Sequence, residues 1–175
     1  MKLPVSLSTS LLAALASIQI ALSLCGCAPQ EKPEEFNLRA YLEKQEGFQV
    51  HAAETLRSLE EEKNLDPDMR AKLGVYYLLG YGAIQDDAKG RGIIKEATDA
   101  GSCRAQLIYG VILMQGQGVP KDEATAFRYL LLSSKGVGQD AQKSREFAAD
   151  LMDKLPKEQV DAISKDVNVQ PLMLK

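Results

Sequence analysis

The thiols of Cys25, Cys27 and Cys103 and the imidazole of His51 are the side chains best suited to nucleophilic or metal chemistry in this chain. A thiol nucleophile needs a base held beside it by a third group, and a zinc site needs Cys and His at short, regular spacings. Neither grouping occurs. His51 is the only histidine, and Cys103 stands alone beside Arg104. That arginine favours a thiolate by charge, yet a small side chain at a helix start also has a plain packing role. Asp86 and Asp87 are adjacent carboxylates at the start of an expected helix, where capping accounts for them. No Ser-x-x-Lys signature occurs. Gly80-Tyr81-Gly82 and Gly116-Gln117-Gly118 follow helical patterns, not strands, so they are not dinucleotide-binding loops. The residues therefore describe a non-enzyme without cofactor or metal. The net charge of −3, with no basic stripe, speaks against nucleic acid as a partner.

These residues sit on elements that repeat. Gly74, Gly80, Gly82 and Asp86 recur 36 positions later as Gly110, Gly116, Gly118 and Asp122. A fixed period of this size marks stacked supersecondary units, which build extended binding surfaces more readily than closed reaction chambers. In each copy a first helix carries an apolar residue followed by glycine, a loop carries Gly-x-Gly, and a second helix opens at an aspartate that can accept from its free amides. Gly74 and Gly110 in mid-helix cost roughly 1 kcal/mol each relative to alanine, so each implies close approach of a neighbouring helix. The loop glycines suit positive φ at a helix end. Upstream, helical periodicity begins near Phe36. It passes through Leu38, Tyr41 and Leu42, breaks at Gly47, and resumes from about 49 to 63 with Ala52, Ala53, Leu56 and Leu59 on one face. Asp66 and Pro67 provide an N-cap and a first helical residue. Few aromatics and no tryptophan, with abundant Ala, Leu, Glu and Lys, agree with an all-α fold.

The first residues have another character. Lys2 is the only charge before Glu31, and an apolar stretch from Val5 to Leu24 ends in Leu24-Cys25-Gly26-Cys27-Ala28, the pattern of an export signal. The ending resembles the lipobox of bacterial lipoproteins, with Leu24 at −3 and Gly26 at −1. The resemblance implies cleavage before Cys27 and lipidation of Cys27. Ala28 at +2, not aspartate, resembles lipoproteins sent to an outer membrane. An uncleaved anchor helix is the alternative, since about 20 mostly apolar residues can span a bilayer, and plain secretion is a third. Cleavage and lipidation would leave Cys103 the one free thiol, so no disulfide framework supports the fold. The Pro-rich, acidic stretch that follows reads as a tether.

The repeated block resembles the Sel-one-like repeat, a relative of the tetratricopeptide repeat. Copy one carries the pattern through Leu73-Gly74, Tyr77, Gly80, Gly82, Asp86 and Lys89, and copy two through Tyr109-Gly110, Gly116, Gly118-Val119-Pro120-Lys121-Asp122 and Ala126. Ile93 and Tyr129 stand where the pattern has tryptophan. The resemblance implies a short right-handed α-solenoid. Its expected organisation is a signal segment over 1–26, a tether over 27–35, a divergent helical pair over 36–65, two repeats over 66–136, and a partial repeat with a capping helix over 137–170.

In such arrays the first helices line a concave surface. Leu73, Tyr77, Tyr109 and Leu113 then fall in the core, and Lys72, Tyr76, Ile108 and Ile112 face the groove as a candidate partner-binding site; Ile108 and Ile112 as plain core is the alternative. The functional expectation is a lipid-anchored scaffold or adaptor of the bacterial envelope, on the outer membrane facing the periplasm. Its expected partner is another envelope protein or a peptide. A pilot lipoprotein for an outer-membrane complex is a second reading, and a cell-wall hydrolase or a regulator of one is a third.

Overall fold

Six of the eight described helices open after Asn, Asp, Ser or Pro, and three of these end at a residue in the left-handed conformation. The computed structural model describes residues 35–47 and 49–169. The expected signal segment, Cys27 with its lipid, and the tether up to residue 34 lie outside the described residues. Within them are eight helices and no strand: α1 Leu38–Glu46, α2 Ala52–Glu61, α3 Pro67–Leu79, α4 Asp87–Asp99, α5 Cys103–Gln115, α6 Glu123–Ser134, α7 Gly138–Met152 and α8 Lys157–Val167.

The caps explain the boundaries. Asp66 accepts from the amides of Asp68 and Met69, with Pro67 at the first helical position of α3. Asp86 accepts from the Lys89 amide at α4, and Asp122 from the Thr125 amide at α6, both at 2.9 Å. Helices α3 and α5 end alike. Gly80 and Gly116 adopt φ of 74° and 73°, a conformation costly for any residue with a Cβ. The loops then repeat bond for bond: Tyr81 N–H to Tyr76 O and Asp86 N–H to Tyr77 O in one copy, Gln117 N–H to Ile112 O and Asp122 N–H to Leu113 O in the other.

Packing follows the layered logic of an all-α helical repeat solenoid. The first helices α3, α5 and α7 form one layer, the second helices α4, α6 and α8 the other, and each second helix also meets the next first helix. Gly74 sits where α3 crosses α4: a Cβ there would lie 2.8 Å from Ile94 and 3.0 Å from the Gly90 carbonyl. At Gly110 the obstruction is the Leu130 side chain, at 2.9 Å. Gly90, which reads as a weak point of its helix, is buried in the same crossing and lies within an unbroken α4. Ile94, Ala97, Leu107, Val111, Phe127, Leu130 and Leu131 fill the interior.

The N-terminal part differs from expectation. The two helices expected in 36–65 form, but they do not pack as a pair. Helix α2 packs on α3, as α4 does on α5. Helix α1 instead lies with its start against the end of α3, where Arg39 reaches the Leu79 carbonyl, and its end against the start of α5, where Glu46 meets Arg104. It therefore runs obliquely across the first helices, from the end of α3 toward the starts of α5 and α7. At the other end, α7 extends the first layer and α8 closes the second by packing on α6.

Candidate functional site

The inner layer of the array presents three side chains at the 36-residue period, Asp68, Arg104 and Asp140, each near the start of its first helix. Two of them hold α1. Arg104 donates to the Glu46 carboxylate at 2.5 Å, and the Glu46 side chain is only 5 % exposed. Asp140 accepts from the Tyr41 hydroxyl at 2.6 Å, and Gln45 donates to Gln139 beside it. Asp68 is occupied within the array by the Ser102 hydroxyl. The apolar side of α1, Leu38 and Leu42, is buried. Both leucines border the same cavity as Ile112, so α1 crosses the inner face of α3, α5 and α7 from one rim to the other.

This placement corrects the expected open groove at Lys72, Tyr76, Ile108 and Ile112. Tyr76 and Ile108 are 0 % exposed and Ile112 is 1 % exposed; Lys72 is half-buried. The reason is that the face is covered from within, by different elements in the two repeats. In the first, Tyr76 packs in a cluster with Leu56 and Leu59 of α2. Its hydroxyl donates to Gln49 Oε1 at 2.9 Å, its ring meets Tyr81 edge-on, and the Lys72 Nζ stands 5.6 Å from its centroid. In the second, Arg104, Ile108 and Ile112 form one stripe at i, i+4 and i+8, and α1, packed on the end of α3, touches its two ends through Glu46 at Arg104 and the cavity shared with Ile112.

Electrostatics agree with this arrangement. Burial first, and then the hydrogen bond to Asp140, push the Tyr41 phenol well above its ordinary range. Burial, reinforced by the negative charge of Glu46, raises Tyr76 as well. The Glu46 carboxylate is taken from water and compensated by Arg104, so removing either partner leaves a costly charge behind.

The covering helix fits imperfectly. A cavity of about 350 Å³ remains between α1 and the array, floored by Leu38, Leu42, Leu78, Leu79 and Ile112, with Arg91 on its rim. A second cleft lies between α2, α3 and α4. There the Tyr77 hydroxyl donates to Glu60, and Lys89 donates to the Tyr77 oxygen at 2.5 Å. That contact raises the Lys89 ammonium above its usual value. The relay ties three helices together at an exposed edge.

Leu73, Tyr77 and Leu113 are buried as core residues, and Tyr109 is half-buried with its ring edge-on to Tyr129 at 5.7 Å. His51 is exposed and pairs with Glu54 at 3.3 Å. Cys103 is a half-buried free thiol at the first position of α5, beneath Gly136. No His, Cys or carboxylate group able to hold a metal ion occurs among the described residues, and no described helix is long and apolar enough to cross a membrane.

The sequence reading missed Leu38, Tyr41, Leu42, Glu46, Arg104 and Asp140 as groove residues. The signal that could have found them is the charged series Asp68, Arg104, Asp140 at the repeat period, which marks one rim of the inner face.

Comparison with known proteins agrees with the fold. The family model described as Sel1 repeat matches residues 67–102, on α3 and α4, and 103–136, on α5 and α6. Such repeats generally act as protein-interaction scaffolds. No curated protein matches the chain, and no solved structure matches it.

Proposed function

We propose that this chain is a non-catalytic, lipid-anchored scaffold that binds another protein or peptide at the surface of a bacterial envelope membrane. The observation that carries the binding role is the inner face of two Sel1 repeats, on which a helix already lies with apolar, hydroxyl and carboxylate contacts. A surface that holds one amphipathic helix has the chemistry to hold such helices in general. The non-catalytic reading is supported by the side chains: His51 is exposed before α2 with Glu54 as its partner, Cys103 is a half-buried free thiol at the start of α5, and no group of three His, Cys or carboxylate side chains able to hold a metal ion occurs among the described residues. The anchor is supported by Leu24-Cys25-Gly26-Cys27, and by Ala28 for an outer-membrane destination. More than one acyl chain on Cys27 would hold the chain firmly to the bilayer.

Two experiments test this. Metabolic labelling with an alkynyl fatty acid should mark the wild-type chain and leave Cys27→Ser unlabelled and unprocessed; a Cys27→Ser chain that is still processed and membrane-bound contradicts the anchor. A photo-crosslinking residue at Gln117, exposed at the cavity mouth, should capture a specific protein in cells, and one at Lys157 on α8 should not. Capture from Lys157 alone would move the binding surface to the second layer.

A further inference from the structure

Helix α1 lies on the groove in the manner of a ligand. It crosses the helices beneath it obliquely, Leu38 and Leu42 are the residues of its nine that are buried whole, and its other anchors are polar side chains: Arg39 on the Leu79 carbonyl, Tyr41 on Asp140, Gln45 on Gln139 and Glu46 on Arg104. It leaves the cavity of about 350 Å³ beside its two leucines unfilled. It is joined to the rest of the chain through Gly47, at φ 65° and ψ −163°, a region of the backbone map essentially reserved for glycine. Nothing lies within 4 Å of where a Cβ on Gly47 would stand, so its positive φ, and not crowding, is what calls for glycine at this joint.

We propose that α1 is an exchangeable internal occupant of the groove, and that the groove accepts in its place an amphipathic helix of another protein. Numbered from Leu38 as position 1, that helix carries apolar side chains at positions 1 and 5, a hydroxyl-bearing aromatic at 4 and a carboxylate at 9. Position 1 takes a residue larger than leucine, which fills the cavity α1 leaves. This requirement also decides against a second copy of the chain. A copy brings the same Leu38 and leaves the same cavity unfilled. The proposal rests on the scaffold reading for the partner's identity as a protein, but the exchange itself does not. While α1 is bound, the partner's apparent affinity is lowered by the fraction of molecules whose groove is open.

The test uses the full chain and a fluorescent synthetic peptide of residues 37–47 with Leu38→Phe, read by anisotropy. Expulsion of α1 by Leu42→Asp should tighten peptide binding at least tenfold over wild type, and Glu46→Arg, which breaks only the pair to Arg104, should act in the same direction. Arg104→Glu should abolish binding of this peptide and accept one carrying Glu46→Arg as well. The parent peptide with leucine at position 1 should bind more weakly than the phenylalanine form. Equal binding to wild type, Leu42→Asp and Glu46→Arg, in proteins whose melting shows the repeats intact, would overturn the proposal. A concentration-dependent dimer of the wild-type chain with exchanged α1 would overturn it in favour of a second copy. Because the peptide reads the groove directly, its failure is distinct from a failure of in-cell crosslinking to find a partner.

Discussion

The two repeats share a backbone and differ in what covers their inner faces. Over the first, Tyr76 is locked against Leu56 and Leu59 of α2, with its hydroxyl bonded to Gln49. Toward the second, α1 reaches over from the end of α3: Ile112 borders the incompletely filled cavity beside its leucines, and Glu46 pairs with Arg104 while Tyr41 bonds to Asp140. The first cover is an extension of the array, since α2 occupies the place that α4 occupies for α5. The second is a segment laid across the array. Conserving a repeat's loops and caps thus does not fix the use of its inner face.

The largest difference should come from the two sets of leucines. Leu56→Ala opens a cavity in the α2–α3 cluster and should cost about 2–5 kcal/mol of global stability, seen as a lower melting temperature of the whole array. Leu42→Ala removes a similar side chain, yet should mainly free α1, leaving the melt of the repeats close to wild type. If both variants lower the melt equally, the two covers are equivalent and the contrast between them fails.

The helix crossings come next. Gly74→Ala presses a Cβ against Ile94 and the fixed Gly90 carbonyl, whereas Gly110→Ala meets the movable end of Leu130. Overpacking of this kind costs about 1–3 kcal/mol, and denaturant titration should place Gly74→Ala toward the upper end and Gly110→Ala toward the lower. The reverse order would show that the first repeat yields more easily than its backbone contacts imply.

A smaller contrast lies in the caps. Asp122 accepts from both the Thr125 amide and the Thr125 hydroxyl, at 2.9 and 2.7 Å, while Asp86 accepts from the Lys89 amide. Loss of such a cap costs about 1 kcal/mol, and Asp122→Ala should exceed Asp86→Ala by a measurable fraction of that. The Thr125 amide and then its hydroxyl hold the Asp122 carboxyl below its ordinary value. Its contribution is therefore complete above the unfolded value of about 3.9 and is lost as pH falls through the lower folded value. Acid titration of the Asp122→Ala variant should lack that last part of the transition.

Alkaline pH acts on both covers, through Tyr76 under α2 and through Tyr41 on α1. Tyr41 is raised by burial and by Asp140, so its neutral phenol contributes stability in full below the unfolded value of about 10, and that contribution fades as pH rises beyond it toward the folded value. Tyr41→Phe should remove the alkaline sensitivity of α1 docking without altering that of α2. A spectroscopic probe on α1 that shows no change between pH 9 and 11 in the wild type would contradict this.

Sequence alone carried the repeats well, because their signals are local. A glycine ending α3 or α5, an aspartate starting α4 or α6 and a glycine at each helix crossing have backbone reasons within a few residues of themselves. The spacing of Lys72, Tyr76, Ile108 and Ile112 marked one side of the first helices, three of whose four residues the structure buries. Their cover was not readable, for a physical reason. Helix α1 is a short polar segment with two leucines, and its position depends on partners 58 and 99 residues away, Arg104 for Glu46 and Asp140 for Tyr41. Local periodicity says that such a helix has an apolar side and is silent on where that side is buried.

Native-state hydrogen exchange of the full chain tests the central claim most directly. Amides of residues 42–46 in α1 should exchange through local opening, with protection well below that of α3 and α5, and Leu42→Asp should abolish their protection while leaving α5 unchanged. Exchange of the α1 amides only through global unfolding, at the same rate as those of α5, would show that the helix is a fixed part of the array and not an occupant of its groove.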